Sequence, residues 1–152
     1  MPLNESSFIW SLVIAALLGA LLGLERSIAG KHAGMRTYAL VSLGSCLFVV
    51  IGTLSSTELA FFVGTNPLQI AGSIVIGIGF IGAGLSALRG EHAELTTASG
   101  IWVAAGIGMA CGFGLYMLGF AATVIALAVF SLFLKVENKV RASWGVNTEK
   151  ES

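Results

Sequence analysis

The sequence predicts an all-α integral membrane protein. The expected form is a five-span helical bundle, amino end outside and carboxyl end cytoplasmic, made of two tandem parallel-repeat hairpins plus a fifth helix. Three observations predict it. Of 152 residues, 56% are apolar and 11% charged, too few charges to coat a water-soluble surface, and the mean hydropathy is +0.92. Four stretches carry no Asp, Glu, Lys or Arg: Ser6 to Leu24, Thr37 to Thr57, Leu59 to Leu88 and Leu95 to Leu134. All eight Lys and Arg fall in segments that a five-span path places on one side.

About 20 residues cross a hydrocarbon core of roughly 30 Å. The first three stretches each supply one span, near Phe8 to Leu24, Thr37 to Leu54 and Leu68 to Leu88. Leu95 to Leu134 as one helix would run to about 60 Å, roughly twice the core, so it folds back on itself. The break falls at "GIGMACGFG", with the outer turn at Gly112 to Gly114, where glycine relieves backbone strain. This gives spans four and five, Thr97 to Cys111 and Phe113 to Leu134. A cleaved signal peptide would want a cationic start, and the chain opens "MPLNESS". Span one is therefore retained.

Arg26, Lys31 and Arg36 lie between spans one and two, Arg89 between three and four, and Lys135, Lys139, Arg141 and Lys150 after span five. The other side has Glu5 and Glu58, so the positive-inside rule sets the orientation. Residues 1–134 form the membrane domain and 135–152 a short cytoplasmic tail. In the tail, Val136, Val140 and Trp144 share one face, as in an amphipathic helix lying on the membrane surface. No soluble domain is expected after it.

"GIGFIGAG", residues 77–84, contains G-x-G-x-x-G. That spacing binds a dinucleotide only on a strand-turn-helix, and no strand-like alternation precedes it. The glycines read instead as helix-packing positions, since small residues let backbones approach in lipid. The seams are Ala15, Gly19 and Gly23 in span one; Ser73, Gly77, Gly79, Gly82 and Gly84 in span three; and Gly100, Ala104, Gly108 and Gly112 in span four. One of them could serve a homodimer. The glycines of span three could also break that helix at a binding site.

"GKHAGMRT" from Gly30 aligns with "GEHAELTT" from Gly90 at an offset of 60 residues, with Gly19 over Gly79 and Gly23 over Ala83. A parallel repeat about an axis along the membrane normal follows. A shared need for helix caps at Thr37 and at Thr96 or Thr97 is the local alternative. Either way the inner turns gather Glu25, Arg26, Lys31, His32, Arg36, Arg89, Glu91, His92 and Glu94. Glu25 is expected to pair with Arg36 or Arg89, because arginine offers a planar fork to a carboxylate, while Arg26 reaches into the headgroups.

Glu91, His92 and Glu94 are candidate ligands for a divalent cation such as Mg²⁺, though a solvated loop would read the same. No other cofactor is expected. Hydrolysis needs a nucleophile with a base in reach, and His32 and His92 have no Ser or Cys beside them, so an enzyme is not expected. Cys46 and Cys111 read as buried apolar residues without metal-ligand spacing. The expected partners are the bilayer and other membrane proteins, and neither nucleic acid nor a dinucleotide is expected.

"GALLGLERSIAGKHAGMRTYALVSLGS", "IAGSIVIGIGFIGAGLSALRG" and "ELTTASGIWVAAGIGMACGFGLY" resemble the MgtC/SapB family of bacterial inner-membrane proteins. G-x-E-R, A-G-x-R-T, G-I-G-F-x-G-A-G and L-T-T-A occur in that order. The resemblance implies five spans, a cytoplasmic carboxyl end, and a part in growth at low magnesium or under acid stress. It implies a small regulator of other membrane proteins, the proton-driven ATP synthase among them, more than a magnesium transporter. Matched positions are Glu25, Arg26, Gly34, Arg36, Thr37, Gly77, Gly79, Gly82, Gly84, Thr96 and Thr97. Two positions depart from the pattern. Asn66 and Gln69 stand where the family commonly has Asp and Arg, and Glu94 replaces a glycine.

Overall fold

Every regular element among the residues that the computed structural model describes, 5–58, 66–89 and 95–143, is an α-helix. The order is α1 (Glu5–Ile28), α2 (Met35–Glu58), α3 (Pro67–Arg89), α4 (Leu95–Gly112) and α5 (Tyr116–Ser143). All five are long and apolar enough to cross a membrane.

The helix ends follow from local chemistry. α1 stops because Gly30 takes φ +69°, and the Gly30 and Lys31 amides then bond back to the Ser27 and Arg26 carbonyls at 3.1 and 2.9 Å. α4 stops the same way at Gly114, φ +76°, where the Leu115 amide reaches the Ala110 carbonyl at 2.8 Å. α3 starts on Asn66, whose Oδ1 accepts the Leu68 amide at 2.9 Å, with Pro67 at the first helical position. Several hydroxyls inside the spans donate to carbonyls four residues earlier, Ser11 to Ser7 and Thr123 to Gly119 among them.

α2 and α4 pack on each other at the centre and run parallel: Tyr38 lies by Gly100, while Cys46 and Val49 lie by Gly112. α1 packs on both. α5 seats against α1 and α4, and α3 against α2 and α4. Ser11 Oγ lies 2.7 Å from Tyr116 Oη at one end of the α1–α5 pair. The core comprises Leu18, Leu22, Tyr38, Cys46, Val50, Ile101, Ala104, Ile107 and Cys111.

Several sequence expectations change. The fifth helix starts at Tyr116, because residues 113–115 form the turn, and it does not end at Leu134. "KVENKVRAS" contains neither glycine nor proline, so span and tail form one unbroken helix and no separate surface helix begins at residue 135; Trp144 lies outside the described residues. α3 is also unbroken despite its glycines. The G-x-G-x-x-G run therefore sits mid-helix, without the strand and turn that dinucleotide binding requires. Thr37 and Thr97 are the third residues of α2 and α4, inside the helices and not at their caps.

The packing glycines divide into two groups. A Cβ at Gly19 would lie 2.6 Å from the Tyr38 carbonyl oxygen, and one at Gly108 would run into the Ser42 carbonyl. Gly23 and Gly100 are equally enclosed, and a Cβ at Gly82 would lie 3.3 Å from Ala98 Cβ. At Gly77, Gly79 and Gly84 a Cβ would meet nothing within 4 Å. At these positions α3 stands off its described neighbours: Gly77 borders a cavity beside α2, and Gly79 one beside α4.

Candidate functional site

The end of α1 and the start of α2 are joined backbone to backbone. A Cβ at Gly23 would lie 2.6 Å from Met35 Cα, so only glycine admits the approach. Ser27 completes the joint: its hydroxyl donates to the Gly23 carbonyl at 2.9 Å and accepts the Met35 amide at 3.2 Å. The cap of α2 is thus supplied by α1. Gly34 faces the same hydroxyl closely enough that a side chain there would collide with it.

One residue before Ser27, Arg26 turns into the bundle and is only 3% exposed. Its Nε and Nη2 donate to the two Glu25 carboxylate oxygens at 2.5 and 2.8 Å. This two-point fork compensates the buried charge. The guanidinium carbon also lies 4.0 Å from the ring centroid of Phe130 on α5, a cation–π contact. Phe130 in turn abuts α4, where a Cβ at Gly100 would come 2.8 Å from its Cζ. Beneath, the fully buried Tyr38 donates from Oη to the Thr97 carbonyl at 3.3 Å. Glu25, Arg26, Tyr38, Thr97, Gly100 and Phe130 thereby tie α1, α2, α4 and α5 together at one end of the bundle.

Among the described residues the partner of Glu25 is its neighbour Arg26, not Arg36; the Arg89 side chain lies outside the described residues. Tyr38 must face inward, and two residues earlier on a helix is about 200° away, so Arg36 is exposed on the outside with Thr37. Arg26 does not reach into the headgroups either; the fork and the ring hold it inside. Thr97 is buried and Thr96 exposed. Arg89 ends α3, and Glu91, His92 and Glu94 lie outside the described residues. Among the described residues no three His, Cys, Asp or Glu side chains could hold a metal ion together. Tyr38, Ser27 and Phe130 were missed from sequence. Tyr38 had a signal in its place directly after the A-G-x-R-T motif, whereas Phe130 lies unmarked in an apolar run.

Residues 12–139 match the description of the MgtC family. The chain belongs to the MgtC family. Among its relatives, YhiD of Escherichia coli K12, named as a candidate magnesium transporter, is 40% identical over 131 residues, 84% of this chain and 61% of YhiD. MgtC of Salmonella typhimurium LT2 is 38% identical over 134 residues, 88% of this chain and 55% of MgtC. SrpB of Synechococcus elongatus is 35% identical over 144 residues, 88% of this chain and 79% of SrpB. The chain thus spans little more than half the length of YhiD and MgtC. No solved structure matches it. Membership and five membrane-crossing helices make this MgtC-family chain a multi-pass membrane protein, and its bacterial relatives are consistent with the inner membrane. Where the family commonly has Asp, Asn66 still caps α3 with its amide oxygen; among the described residues the exposed Gln69 makes no comparable side-chain contact that would explain the exchange.

Proposed function

We propose that this chain is a non-catalytic inner-membrane protein that serves magnesium-limited or acid-stress physiology through lateral contact with other membrane proteins. The observation carrying this reading is the closure of Glu25 and Arg26 on each other. In a transporter, ionisable groups near the membrane face a substrate path. Here the described carboxylate at the inner end is occupied by its neighbour, and the guanidinium is sealed under Phe130. Farther in, the α1, α2 and α4 backbones meet at Gly19, Ser42 and Gly108, where a conduit would have to pass. Between Ser6 and Leu24, and through the other spans, no Asp, Glu, Lys, Arg or His occurs.

The second reading is a Mg²⁺ transporter or channel with a polar inner mouth, favoured by the name of YhiD. Flux into proteoliposomes separates the two. No Mg²⁺ entry above protein-free vesicles, beside a partner that copurifies from native membranes, supports lateral action. Mg²⁺ entry that Glu25→Gln abolishes would overturn it.

A further inference from the structure

We propose that Arg36 binds the phosphate of an anionic phospholipid, at the point where the bilayer-facing side of α2 meets the headgroups. The argument starts from two arginines at nearly one depth. Gly23 of α1 abuts Met35 of α2 backbone to backbone, so Arg36 starts about one helical turn farther into the bundle than Arg26. Arg26 turns inward, where both Glu25 oxygens and the Phe130 ring close over it. Arg36 turns outward and is exposed.

Outward here means toward lipid. At about 100° per residue, Arg36, Leu40, Leu47 and Ile51 fall within about 60° of one another around α2. The three apolar members are 66%, 41% and 49% exposed, so α1, α3 and α4, the helices packed on α2, leave this stripe open. An open apolar stripe along a membrane-crossing helix faces acyl chains. Arg36 ends that stripe on the side of the α1–α2 turn.

Depth and charge select what meets it. The membrane-crossing part of α1 starts at Ser6, and about 20 residues cross the hydrocarbon core, so a core entered at Ser6 is left near Arg26 and the Arg36 backbone starts just inside that boundary. A guanidinium there lays its stem along the apolar stripe and sends its head to the headgroup layer. The protein does not neutralise it: among the described residues Arg36 makes no ion pair and no side-chain hydrogen bond, and Glu25 and Arg26 cancel each other. Lys31, exposed in the turn that leads into α2, adds a second cation. A phosphodiester offers two oxygens to the planar fork of a guanidinium. The net negative charge of an anionic headgroup then sets it above a zwitterionic one, whose ammonium these cations repel.

The test uses the full chain, purified without other proteins, so its outcome does not depend on the proposed physiological role. A fluorophore is attached at Leu40→Cys, one turn from Arg36 on the same stripe; the native Cys46 and Cys111 are fully buried and serve as the unmodified background. The chain is reconstituted in phosphatidylcholine vesicles to which phosphatidylglycerol or phosphatidylcholine with a nitroxide quencher on the acyl chain is added in small fractions. Phosphatidylglycerol should quench at an about fivefold lower mole fraction, equivalent to about 1 kcal/mol, the size expected of one arginine at an anionic surface. Arg36→Gln should remove the preference and Arg36→Lys retain part of it, while a label at Ile125→Cys, on the exposed side of α5, should show none. Because Arg36 is exposed, Arg36→Gln should unfold at the wild-type temperature in detergent without phospholipid, which separates a lost site from a damaged fold. Equal quenching by the two lipids, or a preference that survives Arg36→Gln, would overturn the proposal. So would a preference that inorganic phosphate abolishes and chloride of equal ionic strength does not, since the site would then take a free anion.

Discussion

The guanidinium of Arg26 lies over the ring of Phe130, 4.0 Å from its centroid, while Glu25 grips it from the side. A cation at one end of the bundle is thereby made part of its core. Since Arg26 ends α1 and Phe130 sits well along α5, the contact also fixes how the first and last helices run relative to each other.

The pair should be worth more intact than halved. Glu25→Gln leaves a buried guanidinium without its carboxylate, and the expected loss lies toward the low end of the about 3–5 kcal/mol seen for broken buried pairs, because Glu25 is itself 21% exposed. Removing both charges in Glu25→Gln/Arg26→Met should recover part of that loss. Unfolding in mild detergent measures both; a double variant no more stable than Glu25→Gln would contradict the account.

Ser27 and Gly34 should show a dependence that neither reveals alone. Ser27→Ala removes the cap on α2, at about 1 kcal/mol. Gly34→Ala should destabilise more, because its methyl would collide with the Ser27 hydroxyl, and only Ser27 atoms lie within 4 Å of that methyl. The two changes together should cost clearly less than their sum. Strict additivity in a double-mutant cycle would mean that the collision is not the reason for glycine at 34.

The helices were legible because each span is an uncharged run of membrane-crossing length, and the α4–α5 turn because glycines cluster where an overlong run must reverse. The reach of α5 to Ser143 was not: helix continuation depends on the absence of a breaker, which a change from apolar to charged composition hides. The site was half legible. Glu25 and Arg26 stand out as charges at the edge of an apolar run, but their partners depend on which way Arg26 turns, and that is set by Phe130, more than 100 positions away in the sequence. Glycine spacing showed that helices approach closely without showing which do. Gly19 and Gly79 align in the repeat, yet a Cβ at Gly19 would run into Tyr38 and Ser42 of α2 while one at Gly79 would meet nothing within 4 Å, because α1 lies closer on α2 than α3 does on α4.

That division predicts opposite outcomes for one substitution type. Gly108→Ala puts a methyl into the Ser42 carbonyl, a backbone atom that cannot step aside, and should cost about 3 kcal/mol or more. Gly79→Ala and Gly84→Ala should stay within about 0.5 kcal/mol of wild type. Ser42→Ala belongs in the same series. Its hydroxyl is buried without a hydrogen-bond partner, so losing it should be neutral or stabilising by about 1 kcal/mol. Thermal unfolding of the four variants side by side checks the set.

The last prediction concerns which side of the membrane each end occupies. Ser11 meets Tyr116 at one end of the α1–α5 pair and Arg26 meets Phe130 at the other, so the two helices run parallel and an odd number of spans separates the chain's ends. The turn at Lys31 and the end of α5 at Lys139 then share a side, and the positive-inside rule makes that side cytoplasmic. Impermeant thiol reagents applied to Lys31→Cys and Lys139→Cys in sealed cells should label neither until the membrane is opened. A cysteine at Leu115, in the α4–α5 turn, should label from outside without opening. Labelling of residues 31 and 139 from opposite faces would require an odd number of spans between them, which the two α1–α5 contacts do not allow.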